Sequence, residues 1–511
     1  MVGLLAVLLG LTGSSKVEVG KAEVGDIVGH VEGAWHEDQA GGHEMYSFEN
    51  LIRAVDTSFG EEEYPRGGQC CEDAYGLRYW ESLKASGKDL CPAVRFYHDD
   101  NLQGMFAVLR NVSLVATSSR KNEWNTPFND MHVSVSGDCP ILNIPDMYSA
   151  SVAPFLSRFH RVKDSSLRCS EWQNHTTIVI PWYDATNWWH FLELAMYPSF
   201  LYYSMAQPDL VTRDRHVHIM TLRWPAKLER NVRRGGVYPT WVFTTEVLER
   251  MYGPVRIVPQ EPLAHDTCFR TLLWPTTSYR HLDIQKLLGM CSQNCFSPMF
   301  RALGEYVRSS FGIVNLPFPR QRRRKLVFMA RSSKESWTKH QDARNIQGQE
   351  MFSRGLAQRC AEHGVDFEEL HFFYEDMQTA MEQLQAVGRS DILVGVHGAG
   401  LATMVALPYT GQVIELRADS VNLHFEKLAS LLGLSYNHIR IGGKFGESAV
   451  DRVWDAVENP TSVVGSKSGS TFGSAFRSRY TGASQPKSGS ALFQSSKERS
   501  SFRQRVGRRR P

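Results

Sequence analysis

The sequence predicts an α/β protein whose second half is a parallel sheet with helices on its faces. Three observations carry that expectation. From residue 326 onward, apolar runs of strand length alternate with stretches of helical spacing. Residues 391–416, DILVGVHGAGLATMVALPYTGQVIEL, read as strand, glycine turn, helix (Leu401, Met404, Val405) and strand. Pro317-Phe318-Pro319 and the basic run Arg320, Arg322, Arg323, Arg324 and Lys325 mark a boundary ahead of this half, the run itself reading as a solvated face.

Taken in order, residues 1–15 read as a signal peptide or a truncated signal-anchor. The apolar stretch from Val2 to Leu11 spans about 15 Å as a helix, half of a hydrocarbon core of about 30 Å. No Lys or Arg precedes it. Residues 16–44, with the near-repeat VEVG and AEVG, suit a linker or stem, and residues 45–319 form an N-terminal domain, irregular and β-rich up to residue 146. At Thr177 the pattern sharpens into a β-branched strand, a loop and a long apolar helix that Asn187 is placed to cap. The segment WVFTTEVLERMYG reads as strand and turn, and VRIVPQEPLAHDTCFRTLLWP as two strands. Helical spacing returns over residues 284–309. Residues 320–450 form the second domain: strand LVFMA, Arg331, Arg344-Asn345 leading into a helix, strand FEELHFF, a helix over 377–387, the glycine turn, a helix over 423–432 and a strand over 436–439.

The net charge of +3 hides an asymmetry. Residues 461–511 carry eleven Lys/Arg against one acid, a charge of +10, so the remainder is −7. This Ser/Gly-rich stretch buries too little apolar surface to offset the entropy of ordering, so a disordered tail is expected over 457–511. Elsewhere, 511 residues with 42% hydrophobic and 11% aromatic content allow two or more domains, and exclude a disordered or fibrous protein. Most of the nine cysteines lie in the first 300 residues, as disulfides in a luminal protein do, and an odd number leaves at least one unpaired within the chain. Cys291 and Cys295 lack a second pair to complete a zinc site. Asn111-Val112-Ser113 and Asn174-His175-Thr176 are glycosylation sequons.

Two places offer chemistry. Glycines at 398 and 400 let the backbone approach a ligand, and the N–H groups at the following helix start favour a phosphate. The spacing of Gly395, Gly398 and Gly400 is not the dinucleotide fingerprint. His397 at the turn is either a structural residue or a donor to a phosphate or sugar hydroxyl. The second place is the helix after Asn187, where His190 and Glu193 share a face. There the Glu is either a general base or a helix-start residue beside a core of Trp188, Trp189 and Phe191. Arg331 after a strand and Arg344 near a helix start suit a diphosphate.

These pieces together resemble glycosyltransferase family 61: the Asn187-x-x-His190-Phe helix start, Arg331-Ser332 after a strand, Arg344 and Asn345, DILVGVHGAGL, and VIEL followed by Leu-Gly-Leu-x-Tyr. The resemblance covers roughly residues 170–445. It implies a GT-B architecture, two Rossmann-like domains facing across a cleft, and inverting transfer of xylose, N-acetylglucosamine or arabinose from a UDP-sugar to a glycan or glycoprotein in the Golgi or endoplasmic reticulum lumen. It further implies an acceptor-side N-terminal domain and a donor-binding second domain. Arg331, Arg344 and His397 would face the diphosphate, Gly398, Ala399 and Gly400 the nucleotide, and Glu415 the ribose, with Asn345 also among the donor-binding residues. The family's acid comes four residues after the histidine, whereas here position 194 is Leu and Glu193 comes three after. Glu193 is the implied base, with Asp184 or His190 as substitutes.

No metal or other cofactor is expected, since no Asp-x-Asp triplet occurs. No nucleic-acid partner is expected, and membrane contact only through an N-terminal anchor. A catalytically inactive nucleotide-sugar or glycan-binding relative is the alternative. A dinucleotide oxidoreductase fits less well, because Glu415 arrives too early for the ribose acid of that fold.

Overall fold

The computed structural model describes residues 77–99, 104–116, 131–136, 159–162, 167, 169–180, 187–206, 217–221, 239–257, 267–275, 296–313, 323–330, 348–371, 379–417, 423–441 and 445–460. The expected leader, stem and nearly all of the expected tail fall outside them. So do Asp184, Arg331, Arg344, Asn345, Cys291 and Cys295. Among the described residues no helix is long and apolar enough to cross a membrane.

Helix α1 (Leu77–Ala85) precedes strands β1 (Lys88–Cys91), β2 (Val94–Asp99), β3 (Gly104–Ala116), β4 (Met131–Ser136), β5 (Phe159–Val162) and β6 (Glu171–Ile180). Helix α2 (Trp188–Phe191) runs through a π-helical turn (Leu192–Met196) into α3 (Tyr197–Ala206). Strand β7 (Val217–Thr221), α4 (Pro239–Met251), β8 (Val255–Ile257) and β9 (Thr267–Pro275) complete a nine-stranded sheet ordered β1-β2-β3-β9-β6-β7-β8, with β4 on β3 and β5 on β4. The run β9-β6-β7-β8 is parallel in the manner of a Rossmann sheet, and the outlying pair β4-β5 is parallel too. Strands β1 to β4 extend it antiparallel.

The segment expected as strand and turn is the helix α4. Phe243, Val247 and Met251 recur at helical spacing and are buried. Tertiary packing of this stripe overrides the strand preference of its aromatic and β-branched residues.

The second half follows the expected order. After α5 (Pro298–Ser310) come β10 (Lys325–Ala330), α6 (Gln349–Glu362), β11 (Asp366–His371), α7 (Ala380–Gly388), β12 (Ile392–Val396), a 3-10 helix (Ala399–Ala406), β13 (Gln412–Arg417), α8 (His424–Leu431), β14 (Ser435–Arg440) and α9 (Glu447–Glu458). The five strands form an all-parallel sheet ordered β11-β10-β12-β13-β14. Its central strands are buried on both faces, which is why β12 is apolar without alternation. One face (Leu326, Phe328, Val394, Ile414) packs on α6 and on Val453 and Val457 of α9. This last helix extends the folded layer past residue 450 and two residues into the stretch expected as tail. The other face (Val327, Met329, Leu393, Val413) joins one continuous core with α2 to α5 and with Phe106 and Ile178 of the first sheet.

Helix α5 holds the centre of that core. Ser297 caps it by accepting from the Phe300 N–H at 3.2 Å, with Pro298 in the first turn. A Cβ at Gly304 would stand 2.8 Å from the Val405 carbonyl oxygen, so glycine permits the close approach to the 3-10 helix. Buried Arg308 donates to the Ala406 and Gly388 carbonyls, both at 2.8 Å, and Arg301 to the Leu407 carbonyl at 3.2 Å. Two cations thus satisfy the orphan carbonyl end of the 3-10 helix. Helix α4 makes a matching contact with α7, where Glu246 accepts from the Ala380 N–H (2.9 Å) and the Met381 N–H (3.3 Å).

Cys169 and Cys268 form a disulfide joining the start of β6 to β9, and Cys91 is also disulfide-bonded. Cys360, in the second half, is a buried free thiol whose titration burial pushes up to about 11.

Candidate active site at the carboxyl end of the parallel sheet

Strand β12 ends at Val396, and the chain continues its pairing for one residue, with the His397 N–H donating to the Leu416 carbonyl at 2.9 Å. Gly398 is extended (φ 162°, ψ 171°), and the chain then turns into the expected helix, which is of the 3-10 type. Gly395 makes room for this turn. A Cβ there would lie 2.7 Å from Leu401 Cδ2 and 3.3 Å from Met329 Cβ, so Leu401 folds back over the strand only because the side chain is missing. The first turn presents its unpaired N–H groups at the carboxyl end of the sheet, where ligands of open α/β sheets bind.

His397 is fixed by a buried polar network. Its Nδ1 is hydrogen-bonded to Glu415 Oε1, and Glu415 is fully buried. The second oxygen, Oε2, accepts from Arg417 Nε at 2.9 Å and from the Tyr436 hydroxyl. Arg417 Nη2 donates to the Tyr436 oxygen at 2.6 Å and lies 3.7 Å from Glu426. Burial alone would raise the Glu415 carboxyl, but the His397 hydrogen bond, the charge of Arg417 and the Tyr436 hydroxyl outweigh it and hold the group below its ordinary value. Burial lowers Arg417, yet the Glu415 charge raises it further, and the net shift is upward. Burial, then the neighbouring Glu415, push the Tyr436 hydroxyl well up. A carboxylate on Nδ1 favours the tautomer that carries its proton there, which leaves Nε2 for a ligand.

Glu415 is therefore not the ribose contact expected of it. Both its oxygens face inward and are engaged by His397, Arg417 and Tyr436. Its place in β13, beside Gly395 in β12, points it under the turn instead of out of the sheet.

The second candidate group is carried by α2. Asn187 caps the helix as expected, its Oδ1 accepting from the Trp189 N–H at 3.0 Å and the His190 N–H at 3.4 Å. The π-turn begins two residues after His190 and carries Glu193; such turns insert a residue and frequently mark functional sites. His190 Nδ1 lies 3.9 Å from Glu193 Oε2, with the imidazole 36% exposed and the carboxylate 8%. The histidine is the outward member and the acid stands behind it.

The two groups approach through aromatic rings. Trp189, adjacent to His190, packs on His424 (5.2 Å) and edge-on to Phe425 (5.5 Å), and Phe425 packs edge-on to His397 at 5.2 Å. The structure thus joins the His190–Glu193 helix to the His397 turn, with Ala399 and Gly400 in the first turn of the 3-10 helix. Asn111 and Asn174 lie elsewhere, exposed on the first sheet. Among the described residues no group of three or more His, Cys, Asp or Glu is placed to hold a metal ion.

In the sequence Trp189 reads as a core residue and Tyr436 as the end of the Leu-Gly-Leu-x-Tyr match, while nothing singles out Phe425. Arg417 carried one usable signal: it shares a strand face with Glu415, two residues away.

Residues 179–414 match the model of the family Glycosyltransferase 61. The match spans Asn187, His190, Glu193 and His397, and it stops one residue before Glu415. No curated protein matches the sequence significantly. Among solved structures, the bacterial iron-containing dodecameric glycosyltransferase TibC from enterotoxigenic E. coli H10407 aligns with 10% identity. The alignment covers 65% of this chain and 79% of that one, with a TM-score of 0.21, too low for the likeness to carry an argument.

Proposed function

Residues 179–414 place this chain in glycosyltransferase family 61, and on that premise we propose that it is an inverting, UDP-sugar-dependent glycosyltransferase of the secretory pathway with a GT-B arrangement of its two sheets. The observation that supports the reading is that the helix carrying His190 and Glu193 packs, through Trp189 on Phe425, against the His397–Glu415 pair at the end of β12. Cys169–Cys268 and the bonded Cys91 support an oxidising lumen, where disulfides persist.

In this reading the donor diphosphate lies at the His397 turn. His397 Nε2 and the N–H groups of Gly398, Ala399 and Gly400, together with Arg331, Arg344 and Asn345, bind and neutralise it. Protein cations then serve in place of a metal. The acceptor hydroxyl gives its proton to His190, whose imidazole is the accessible member of its pair, while Glu193 stabilises the imidazolium that forms. The hydroxyl oxygen attacks the anomeric carbon from the face opposite the nucleotide, the anomeric carbon–oxygen bond breaks, and UDP leaves with the electron pair. Xylose, N-acetylglucosamine and arabinose are the candidate sugars, and a glycan or glycoprotein the acceptor.

The test is a thermal-shift and turnover screen of the full-length chain against UDP- and GDP-sugars, with and without chelator, alongside His397→Ala and His190→Ala. A single UDP-sugar should raise Tm regardless of chelator. His397→Ala should weaken that shift, and His190→Ala should keep it while losing at least about 100-fold in transfer. Binding without turnover on any acceptor would make the chain an inactive relative. Absence of any nucleotide binding would refute the reading of the turn.

A further inference from the structure

In the first sheet, the pairing of strand β6 is interrupted. Between Gln173 and Thr176 of β6 the pairing with β9 slips by one residue, so Asn174 and His175 together stand opposite Arg270. Bulges between parallel strands are uncommon, and bulges re-aim side chains. Trp172 and Asn174, two residues apart, share the outward side of β6. Asn174 is exposed and Trp172 is partly exposed. The Arg270 guanidinium lies over the indole, 4.1 Å from the ring centroid, and also donates to Asn111 Oδ1 at 3.0 Å. The indole is thereby held in one orientation beside Asn174.

Asn174 begins the sequon Asn174-His175-Thr176. Asn111, the other sequon asparagine, is engaged in the fold. It has φ 51°, its amide oxygen is taken by Arg270, and Ser113 of its triplet is buried. Of the two, Asn174 alone stands next to an aromatic surface on its own strand face.

We propose that Asn174 carries an N-linked glycan whose first N-acetylglucosamine packs on Trp172, so that the sugar, the indole and Arg270 form one cluster covering the outer side of β6 and β9. The inference rests on the secretory reading above, because the reaction needs a polyisoprenyl-pyrophosphate oligosaccharide and the host transferase that uses it. In that step Asn174 Nδ2 bonds to the anomeric carbon of the reducing-end sugar and loses a proton. The bond from that carbon to the pyrophosphate oxygen breaks, and the lipid pyrophosphate leaves with the electron pair. The C–H face of the sugar then meets the electron-rich face of the indole, burying apolar surface on both. The bulge is what allows this, because it brings Asn174 out of the ladder beside Trp172.

The full-length chain produced in eukaryotic cells tests the proposal by peptide mass mapping and thermal melting. The Asn174 peptide should carry the oligosaccharide, and Asn174→Gln should remove it. Trimming the wild-type glycan to a single N-acetylglucosamine should leave Tm unchanged. Removing that last sugar should lower Tm by about 2 °C or more, with Asn174→Asp as reference for the carboxylate that removal leaves. Trp172→Ala should abolish the difference between the two trimmed forms, and Trp172→Phe should keep most of it. Two results overturn the inference alone: an unmodified Asn174 in chains whose Cys169–Cys268 disulfide is formed, or a Tm that ignores the last sugar. Absence of both glycan and disulfide overturns the luminal reading, and this inference with it.

Discussion

Replacing Glu415 by Gln keeps the shape of a fully buried side chain and removes its charge. The native carboxylate accepts at both ends, from His397 at Oε1 and from Arg417 and Tyr436 at Oε2. A glutamine offers one oxygen and one NH2, so whichever way it turns, a donor faces a donor on one side. Arg417, itself buried, keeps the Tyr436 oxygen as an acceptor, but as a countercharge only the more distant Glu426 at 3.7 Å. Breaking a buried pair by removing one partner costs about 3–5 kcal/mol, and the residual Glu426 attraction places this case near the lower end, about 3 kcal/mol. Urea unfolding of wild type and Glu415→Gln, followed by circular dichroism at pH 7, measures it.

The pH dependence has a definite sign. The folded-state value of Glu415 is lowered from an ordinary 4.5, so its stabilisation is fully present above the unfolded value and is lost as pH falls through the folded one. The stability gap between wild type and variant should stay constant from neutral pH to about 5 and close only below about 4. A gap under about 1 kcal/mol at pH 7, or one that closes between pH 7 and 5, would refute the network as described.

Other perturbations have equally direct expectations. Gly395→Ala places a Cβ 2.7 Å from Leu401 Cδ2, and overpacking of this kind costs about 1–3 kcal/mol; a donor-binding defect beyond the stability loss in thermal-shift titrations would show that the turn has moved. Arg308→Met removes two hydrogen bonds to the Ala406 and Gly388 carbonyls and leaves buried acceptors, at about 1–3 kcal/mol each; chemical denaturation reads the sum. Cys169→Ser with Cys268→Ser opens a loop of 99 residues, worth about 4–5 kcal/mol in the chain-entropy account; the double variant should melt well below wild type, and the two should coincide once both are reduced.

The alternation of apolar strands and helical spacings after residue 325 determined the parallel sheet, because strands buried on both faces and helices covering them leave separate periodicities in the chain. The Asn187 cap and the DILVGVHGAGL turn were legible for the same reason: caps and glycine turns are local, with donor and acceptor a few residues apart. Helix α4 reads as a strand because the strand preference of its Trp, Val, Phe and Thr residues is local, whereas the burial of its Phe243, Val247 and Met251 stripe depends on partners elsewhere in the fold.

What makes the site, by contrast, is spread over distance. Glu415 stands 18 residues from His397, and Tyr436 stands 21 residues from Glu415. Nothing local distinguishes a carboxylate that binds a ribose from one that braces a histidine. Only the packing of β12, β13 and β14 side by side turned Glu415 inward, and only the joining of both sheets through one core brought Trp189 against Phe425, which packs on His397. Such contacts follow from which strands become neighbours, a property of the folded chain that no stretch of its sequence carries by itself.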